Sequence, residues 1–504
     1  MSGCILAIDQ GTTSSRCMIF DRDGRAIGTG NAAFRQFYPK PGWVEHDPEE
    51  IFASVVSSIG QAFERSGSAV SSVDAIGITN QRETTVIWDR VTGEPIHKAI
   101  VWQCRRTAPI CEQWKQNGWE SEVLSRTGLV IDAYFSATKI QWILSEVPGA
   151  RKKATEGDLL FGTIDSWLVY KLTGGKSHVT DYSNASRTMV FNTRTLSWDE
   201  TLCEKFGIPS RMLPSALPSC SRFGTIAAGI KGLERLVGVP VTGIAGDQPA
   251  ALFGQMCLKE GDIKNTYGTG CFTLMNTGEK RIISSGGLLS SAAWSYRGKT
   301  VYALEGSVFH AGSIISWLKD EMKLISTPGE CDDLAESVEN SGGVFLVPAF
   351  SGLGAPYWDM YARGCLIGLT RGSKREHVAR AAIESIAYQV YDLIESMKRE
   401  SGYEIRSIKA DGGVSVSSLL MQLQADLLGV PVDRSREKET TAQGAAFLAG
   451  LSAGIWNGLD EVEKLRESDR IFLPKEDPSF GESRIKLWRK AVERSSRWEE
   501  PPEV

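Results

Sequence analysis

Three short segments rich in Gly, Thr and Ser could bind phosphate groups: residues 9–16 (DQGTTSSR), 265–270 (NTYGTG) and 411–413 (DGG). Glycine lets a backbone approach a phosphate closely, and consecutive backbone N–H groups can form a nest that binds anions. The side-chain donors that could join them are Thr12, Thr13, Ser14, Arg16 and Thr269. Each segment alone is typical of an ordinary turn, but the three in one chain predict a nucleotide phosphate site. None matches the Walker A pattern, so a P-loop fold is not expected.

Asp9 begins the first of these segments. A carboxylate does not favour a phosphate directly, so its place beside a phosphate-binding turn needs another reason. Mg²⁺ provides one, since it is usually held by one or two carboxylates together with phosphate oxygens. The sequence therefore predicts that Asp9 holds Mg²⁺, directly or through water.

The elements around these segments alternate between strand and helix patterns. Strands are predicted at residues 4–8 and 17–20, which flank the first turn, and at 73–78 and 407–410. A helix should begin after the capping residue Asp47, carry an apolar residue at every fourth position from 51 to 63, and end at Gly67. Further helices are predicted at residues 417–428 and after Ser373, which forms a capping-box pattern with Glu376.

This alternation predicts two α/β lobes. We place their boundary after Phe253, which gives domains at residues 1–253 and 254–504. The tail at residues 498–504 (WEEPPEV) is expected to be frayed.

The composition excludes several other classes of protein. Of the 504 residues 42% are apolar and 23% charged, which is typical of a globular chain, and the net charge of −5 offers no basic surface for nucleic acid. No apolar stretch approaches the ~20 residues of a membrane span, and the first apolar run is too short for a secretory signal. The ten cysteines and five histidines form no zinc-ligand pattern. A cytoplasmic location is therefore expected.

Several motifs resemble one family of enzymes. Residues 9–16 and the later turns look like the actin, sugar-kinase and heat-shock-ATPase superfamily, and residues 134–142 (YFSATKIQW) and 352–364 (GLGAPYWDMYARG) resemble the two signatures of the FGGY carbohydrate kinases. Residues 38–47, 77–85, 99–106 and 243–248 are similar to the members that phosphorylate glycerol. The resemblance implies two ribonuclease-H-like domains flanking a nucleotide cleft, with ATP, Mg²⁺ and glycerol as ligands. Family analogy also implies a homodimer or homotetramer.

The resemblance also implies which residues bind the alcohol. A small uncharged triol needs donors and acceptors for its hydroxyls and an apolar wall for its carbons. The matching hydroxyl-binding positions are Arg82, Glu83, Tyr134, Asp247 and Gln248, and the wall positions are Trp102 and Phe272. Taken singly, each has a simpler interpretation: Trp102 and Phe272 as core, Arg82 and Glu83 as a solvated ion pair, Asp247 as a helix cap. Seven matches together favour the alcohol pocket.

Within this pocket Asp247 is the expected general base. An alcohol keeps its proton at neutral pH, so its attack on a phosphorus atom needs a nearby acceptor. The carboxylates of the pocket are Glu83 and Asp247. An ion pair with Arg82 would make Glu83 a positioning group, and the family match gives the base role to Asp247.

The adenine end departs from the family pattern. The implied contacts are Gly312, Ser316, Gly413 and Ser417, but bacterial relatives often carry Gln and Asn where this chain has the two serines. Serine cannot offer the paired donor and acceptor of an amide. The donor site is therefore expected to tolerate other purine nucleotides.

Two other functions stay open from the sequence. An FGGY kinase for another polyol or a ketose would share the phosphate turns, although not the Arg82–Glu83 pair in this context. An actin-like or chaperone-like ATPase acting on a protein partner would release phosphate to water and have no alcohol pocket. A binding protein without catalysis is disfavoured, because Asp9, Arg16, Asp247 and Thr269 are all present.

Overall fold

The computed structural model describes residues 3–67, 70, 72–477 and 479–499. The strands are β1 (Ile5–Gln10), β2 (Ser14–Phe20), β3 (Ala26–Ala33), β4 (Gln36–Phe37), β5 (Glu45–His46), β6 (Ala75–Asn80), β7 (Val86–Asp89), β8 (Ala99–Ile100), β9 (Leu159–Gly162), β10 (Val179–Asp181), β11 (Phe191–Asn192), β12 (Ser197–Trp198), β13 (Ser215–Leu217), β14 (Cys220–Thr225), β15 (Pro240–Gly246), β16 (Ile263–Tyr267), β17 (Cys271–Asn276), β18 (Leu289–Tyr296), β19 (Lys299–Val308), β20 (Phe345–Val347), β21 (Cys365–Ile367), β22 (Ile408–Asp411), β23 (Val432–Ser435) and β24 (Ser468–Phe472). The helices are α1 (Pro48–Ser66), α2 (Ala108–Gln116), α3 (Glu120–Thr127), α4 (Ser136–Glu146), α5 (Ala150–Glu156), α6 (Ile164–Leu172), α7 (Tyr182–Ala185), α8 (Glu200–Phe206), α9 (Asp247–Gly254), α10 (Gly312–Asp320), α11 (Pro328–Glu336), α12 (Arg375–Ser401), α13 (Ser418–Leu428), α14 (Thr440–Ser452), α15 (Leu459–Glu463) and α16 (Ser479–Ser495). Within these ranges, no helix combines the length and apolar composition that a bilayer span requires.

Each half of the chain builds one mixed sheet of the same plan. The first sheet has the order β14-β15-β6-β1-β2-β3, and the second has the order β18-β19-β17-β16-β22-β23-β24. In both, a first strand pairs antiparallel with the next strand and parallel with a later one: β1 with β2 and β6, β16 with β17 and β22. A further parallel strand follows in each sheet, β15 beside β6 and β23 beside β22. This shared order confirms the prediction of two ribonuclease-H-like domains.

The amino-terminal elements form as their residue pattern predicts. The turn at residues 11–13 joins β1 to β2, and Asp47 caps α1 by accepting from the N–H of Glu49 at 3.0 Å. The side chains of Ile51, Val55 and Ile59 are fully buried in the core of the first lobe. The 3.6-residue period thus places the apolar face of α1 on β2 and β3. The strand expected at residues 73–78 is instead β6, at Ala75–Asn80.

The expectation for the start of α12 is wrong, and the tail expectation is tested only at residues 498 and 499. The capping-box pattern at Ser373 does not form, because α12 begins at Arg375 and the imidazole of His377 accepts from the N–H of Lys374 at 3.0 Å. The hydroxyl of Ser373 instead accepts from the N–H of Thr370. In the carboxyl-terminal tail, the N–H of Glu499 donates to the carbonyl of Tyr361 at 3.0 Å, so that residue is anchored. Residues 500–504 lie outside the described ranges.

The two lobes meet where helices α9 and α14 cross. Helix α14 belongs to the second half of the chain, but it packs against α9 and against β1, β6 and β15 of the first sheet. Glycines make this approach possible: a Cβ added to Gly444 would lie 1.9 Å from the carbonyl oxygen of Ala250, and one added to Gly254 would lie 2.0 Å from that of Thr440. The backbones therefore touch directly. The domain boundary at residues 253 and 254 stays a prediction.

This contact predicts that Gly444→Ala destabilises the protein. The added methyl group has no space, and overpacking of this kind costs about 1–3 kcal/mol. Thermal or urea unfolding of the purified variant should show a loss of that size. The matched control is Gly60→Ala in α1, where an added Cβ meets no atom within 4 Å and alanine favours the helix by up to about 1 kcal/mol. Equal stability of the two variants would contradict the direct contact between the backbones of α9 and α14 at Gly444.

Candidate active site

The ends of three parallel strands bring the predicted pocket together. Gln10, Asn80 and Gly246 are paired neighbours at the carboxyl ends of β1, β6 and β15. The segments that follow these strands carry the first phosphate turn, the pair Arg82 and Glu83, and the pair Asp247 and Gln248. Ligands of open α/β sheets bind at this edge. The register of the sheet thus places residues that are far apart in sequence around one site.

Arg82 and Glu83 lie in a buried cluster of four charged residues. Nη1 and Nη2 of Arg82 each donate to one carboxylate oxygen of Glu305 at 2.7 Å. Glu83 accepts from Nε of Arg187 at 2.6 Å, and Nη1 of Arg187 lies 3.4 Å from Glu305. All four residues are at most 3% exposed. The alternative interpretation of Arg82 and Glu83 as a solvated ion pair is therefore wrong. The two side chains approach each other only to 3.9 Å, and each has a closer partner elsewhere.

Burial and pairing set the charge of these carboxylates. Burial alone would raise the pKa of Glu305, but the guanidinium groups of Arg187 and Arg82 lower it to about 2. For Glu83, burial outweighs the opposing effect of Arg187 and Arg82, so its pKa is raised. Glu305 comes from β19 of the second sheet, and Arg82 follows β6 of the first. The cluster therefore joins the two lobes.

The backbone at Glu83 is held in an uncommon conformation. Its φ of 61° lies in the left-handed region, which a residue other than glycine rarely adopts. The hydroxyls of Ser136 and Thr85 both donate to its carbonyl oxygen, at 3.0 and 3.1 Å. Such strain persists only where neighbouring groups hold it, and it is concentrated at functional sites.

The aromatic residues predicted for the pocket lie close to the first phosphate turn and the charged cluster. The indole N–H of Trp102 donates to the hydroxyl of Thr12 at 3.0 Å, which connects the apolar wall to the first phosphate turn. The rings of Trp102 and Tyr134 meet edge to face at 5.5 Å. Phe272 pairs with Ser307 and its neighbour Leu274 with Glu305, so by strand alternation Phe272 shares a sheet face with Glu305.

Asp247 is the first residue of α9 and is more open than the other carboxylates of the pocket. Its side chain is 34% exposed, and its Oδ1 lies 2.9 Å from Nε of Arg82. The N-cap of α9 is Gly246, so the interpretation of Asp247 as a cap is wrong, although Oδ1 accepts from the N–H of Gln248 at 2.7 Å. The amide of Gln248 accepts from the buried ammonium of Lys264, whose pKa is lowered by burial.

Asp9, near the end of β1, lies close to three other charged residues, Glu439, Asp247 and Arg16. Burial raises its pKa to about 7, the carboxylates of Glu439 and Asp247 contribute to the rise, and Arg16 opposes it. Arg16 forms an ion pair with Glu439, which precedes α14. The first phosphate turn therefore faces the start of α14 from the second half of the chain.

The two later phosphate turns are neighbours in the second lobe. The N–H of Gly312 donates to the carbonyl of Gly268 at 2.9 Å, and that of Ala311 donates to Thr269 at 2.8 Å. A Cβ at Gly412, whose φ is 89°, would lie 2.5 Å from the carbonyl oxygen of Tyr267. The glycines thus allow turns 268–270 and 412–413 and the start of α10 to converge.

The two serines at the adenine end differ in environment. The hydroxyl of Ser417 caps α13, accepting from the N–H of Leu420 at 3.2 Å, and also contacts the carboxylate of Asp332. Ser316 is exposed on α10.

Sequence reasoning missed three charged residues of the site, namely Arg187, Lys264 and Glu305. Each is at most 1% exposed. Lys264 is the one charged residue of β16, and Glu305 is the one charged residue of β19 apart from Lys299 at its exposed start, which was an available signal. Arg187 follows α7 and carries no comparable signal, because its partners lie more than a hundred residues away.

The fold and the site define a kinase of the sugar-kinase class, and the comparisons identify its family. The N-terminal domain model of the FGGY family of carbohydrate kinases matches residues 4–254, and the C-terminal domain model matches residues 263–453. The chain belongs to this family.

Its near relatives are glycerol kinases. The chain is 55% identical to the glycerol kinase of Caldanaerobacter subterraneus subsp. tengcongensis over 500 residues. This match covers 99% of this chain and 100% of that protein. It is 54% identical to glycerol kinase 2 of Thermotoga maritima over 98% of this chain and 99% of that one. A crystal structure of Plasmodium falciparum glycerol kinase with ADP superposes with a TM-score of 0.93 at 39% identity, with 98% of each chain covered. A xylulose kinase from Lactobacillus acidophilus, at 23% identity and a TM-score of 0.88, shares the fold.

The buried cluster predicts a large loss of stability for Glu305→Ala. Removing this carboxylate leaves two buried guanidinium groups with Glu83 as the one buried carboxylate of the cluster. Breaking a buried ion pair in this way costs about 3–5 kcal/mol. Urea unfolding measures the change. The control is Glu279→Ala, since Glu279 pairs with Lys299 at the surface and should affect stability little. A Glu305→Ala variant as stable as this control would contradict the buried ion pairs that we describe for Glu305.

Proposed function

We propose that this chain transfers the γ-phosphate of ATP to glycerol, yielding glycerol 3-phosphate by direct in-line transfer. The observation that carries the proposal is the position of Asp247. It is a partly open carboxylate held against Arg82, at the same sheet edge as the first phosphate turn. The full-length similarity to glycerol kinases supports the same substrate.

The hydroxyls of glycerol would be bound by the charged cluster. An arginine has five N–H donors, and Glu305 takes two of those of Arg82, so donors stay available for a hydroxyl. Glu83 uses Oε1 for Arg187 and can accept with its other oxygen. Tyr134 and Gln248 would complete the polar contacts, and Trp102 and Phe272 would cover the carbon atoms.

ATP would lie across the cleft between the lobes. The triphosphate would bind the backbone and side chains of Thr12, Thr13, Ser14, Arg16 and Thr269, and the nucleoside would bind near Gly312, Ser316, Gly413 and Ser417. Arg16 would exchange its pairing with Glu439 for a phosphate. The convergence of the two later turns supports this arrangement, because Thr269 and Gly413 are both exposed there and backbone turns of this kind can bind anions.

Asp9 is suited to hold Mg²⁺. Its pKa is raised because it is buried near two other carboxylates, and a divalent cation would relieve that repulsion. Among the described residues, no three His, Cys, Asp or Glu side chains group closely enough to hold a metal. This agrees with an ion that takes its other ligands from phosphate and water. Bound there, it would neutralise charge on the phosphate oxygens.

Asp247 would accept the proton of the attacking hydroxyl as the O–P bond forms. Arg82 would fix the carboxylate, and the buried cluster would keep the alcohol oriented toward the γ-phosphorus. Positioning and charge neutralisation supply most of the catalysis in phosphoryl transfer. The products would be glycerol 3-phosphate and ADP.

The direct test is the identity of the product. Wild-type protein is incubated with ATP, Mg²⁺ and a panel of polyols and ketoses, and phosphorylated products are identified by mass spectrometry. Glycerol 3-phosphate as the main product supports the proposal. Preference for another polyol or ketose would overturn it in favour of a different FGGY kinase, and phosphate release without a phosphorylated alcohol would indicate an ATPase.

The role of Asp247 predicts that Asp247→Asn lowers kcat by about 10²–10⁴-fold, the usual loss for a general base. The amide keeps the shape of the side chain, so the KM values for glycerol and ATP should change little. Steady-state kinetics under conditions where chemistry is rate-limiting give both. Glu83→Gln serves as the control, because it should act mainly on the KM for glycerol. Retention by Asp247→Asn of more than about a tenth of the wild-type kcat would exclude the role.

The adenine end predicts relaxed selectivity for the nucleotide. With serine at positions 316 and 417 neither position offers an amide to the base, so GTP or ITP should be used more readily than by relatives with Gln and Asn. Comparison of kcat/KM for ATP, GTP and ITP measures this, and Ser417→Asn should sharpen the preference for ATP. Ser418→Asn, one position further, controls for the added amide. Strict use of ATP by the wild type, unchanged in Ser417→Asn, would refute the prediction.

A further inference from the structure

Lys139 is a buried lysine whose ammonium group is fully used by the backbone of one turn. The residue lies in the first half of α4 and has no exposed surface. Its Nζ donates to the carbonyl oxygens of Ala133, Tyr134 and Phe135, at 2.7, 2.6 and 2.9 Å. An ammonium group has three N–H donors, so these three bonds account for all of them.

The charge of Lys139 is not balanced by a direct ion pair. No carboxylate of the described ranges lies within 4.0 Å of its Nζ, and burial lowers the pKa of this lysine to about 8. Burying a charge without an ionic partner is costly. The three carbonyl groups are therefore the interaction that holds the ammonium group in place.

The turn that Lys139 holds contacts the pocket at three points. The ring of Tyr134 meets Trp102 and lies 5.3 Å from the guanidinium of Arg187. The ring of Phe135 lies 5.1 Å from the same guanidinium. The hydroxyl of Ser136 donates to the carbonyl of Glu83, the residue with the left-handed backbone.

We propose that Lys139 is a positioning residue for the alcohol pocket. By bonding three successive carbonyls it fixes the turn at residues 133–135, and through that turn it sets Tyr134 and the backbone of Glu83 relative to the ion cluster. It touches neither substrate. This inference rests on the proposed function, because it assigns Lys139 to the glycerol half of that site.

The test compares Lys139→Met with wild type in steady-state kinetics for both substrates. Methionine fills a similar volume but donates no hydrogen bond, so the turn loses its anchor. The KM for glycerol should rise about tenfold or more, since small displacements of positioning groups have effects of this size, while the KM for ATP should change less than about twofold. The control is Lys152→Met, which removes a lysine whose side chain is 81% exposed on α5 and should leave both constants unchanged.

A double-mutant cycle with Tyr134→Phe and Lys139→Met separates positioning from general damage. If Lys139 acts through the turn that carries Tyr134, the two changes in the KM for glycerol should not be additive. Additive effects, an equal rise in the KM for ATP, or a wild-type KM for glycerol in Lys139→Met would each overturn the proposal. Failure of wild-type protein to phosphorylate glycerol is a different result, and it would refute the proposed function instead.

Lys139→Arg keeps the comparison decisive if the methionine variant does not fold. Its guanidinium is a planar fork and cannot direct three N–H groups to three successive carbonyls from one point. The KM for glycerol should again rise with little change in that for ATP. A wild-type KM for glycerol in this variant would overturn the proposal.

Discussion

The bidentate pair of Arg82 and Glu305 is the interaction on which the site depends. It joins the segment after β6 of the first sheet to β19 of the second, and both residues are buried. Neither charge can be left without its partner in the interior, because an unpaired buried ion costs several kcal/mol. The pair therefore requires the two lobes to stay in contact at the bottom of the cleft.

Arg187 and Glu83 extend this constraint toward the predicted alcohol pocket. The two guanidinium groups and two carboxylates balance one another, so the cluster is electrically neutral and each side chain has a fixed direction. Asp247 lies at the edge of the cluster and is partly open to the cleft. The charges of the cluster pair with one another, and the carboxylate beside it is partly open. This arrangement suits a small uncharged substrate, which needs oriented hydrogen bonds rather than a net charge.

A second constraint comes from the glycines of the lobe junction. Gly254 and Gly444 let α9 and α14 approach until their backbones touch. The same crossing brings Glu439, just before α14, to Arg16 beside the first phosphate turn, and brings Thr440 to the carboxylate of Asp411. One helix crossing and one ion cluster thus position the residues that we assign to the nucleotide and to the alcohol.

Much of this arrangement could be read from the sequence because it depends on local chemistry. The cap at Asp47, the apolar face of α1 and the glycine turns follow from interactions between residues a few positions apart. The motif match named seven residues for an alcohol pocket, and that assignment stays a prediction. The partners of those residues could not be read in the same way. Arg82 and Glu305 are separated by 223 positions, and Glu83 and Arg187 by 104, so only the packing of the two sheets decides that they pair. The capping box predicted at Ser373 is also absent, because α12 begins at Arg375 and the imidazole of His377 accepts the hydrogen bond from the N–H of Lys374. Residue types and spacing determined which groups the protein has for its chemistry, whereas the tertiary structure decided which charges are paired and which are left open to act, because burial makes every pairing depend on distant parts of the chain.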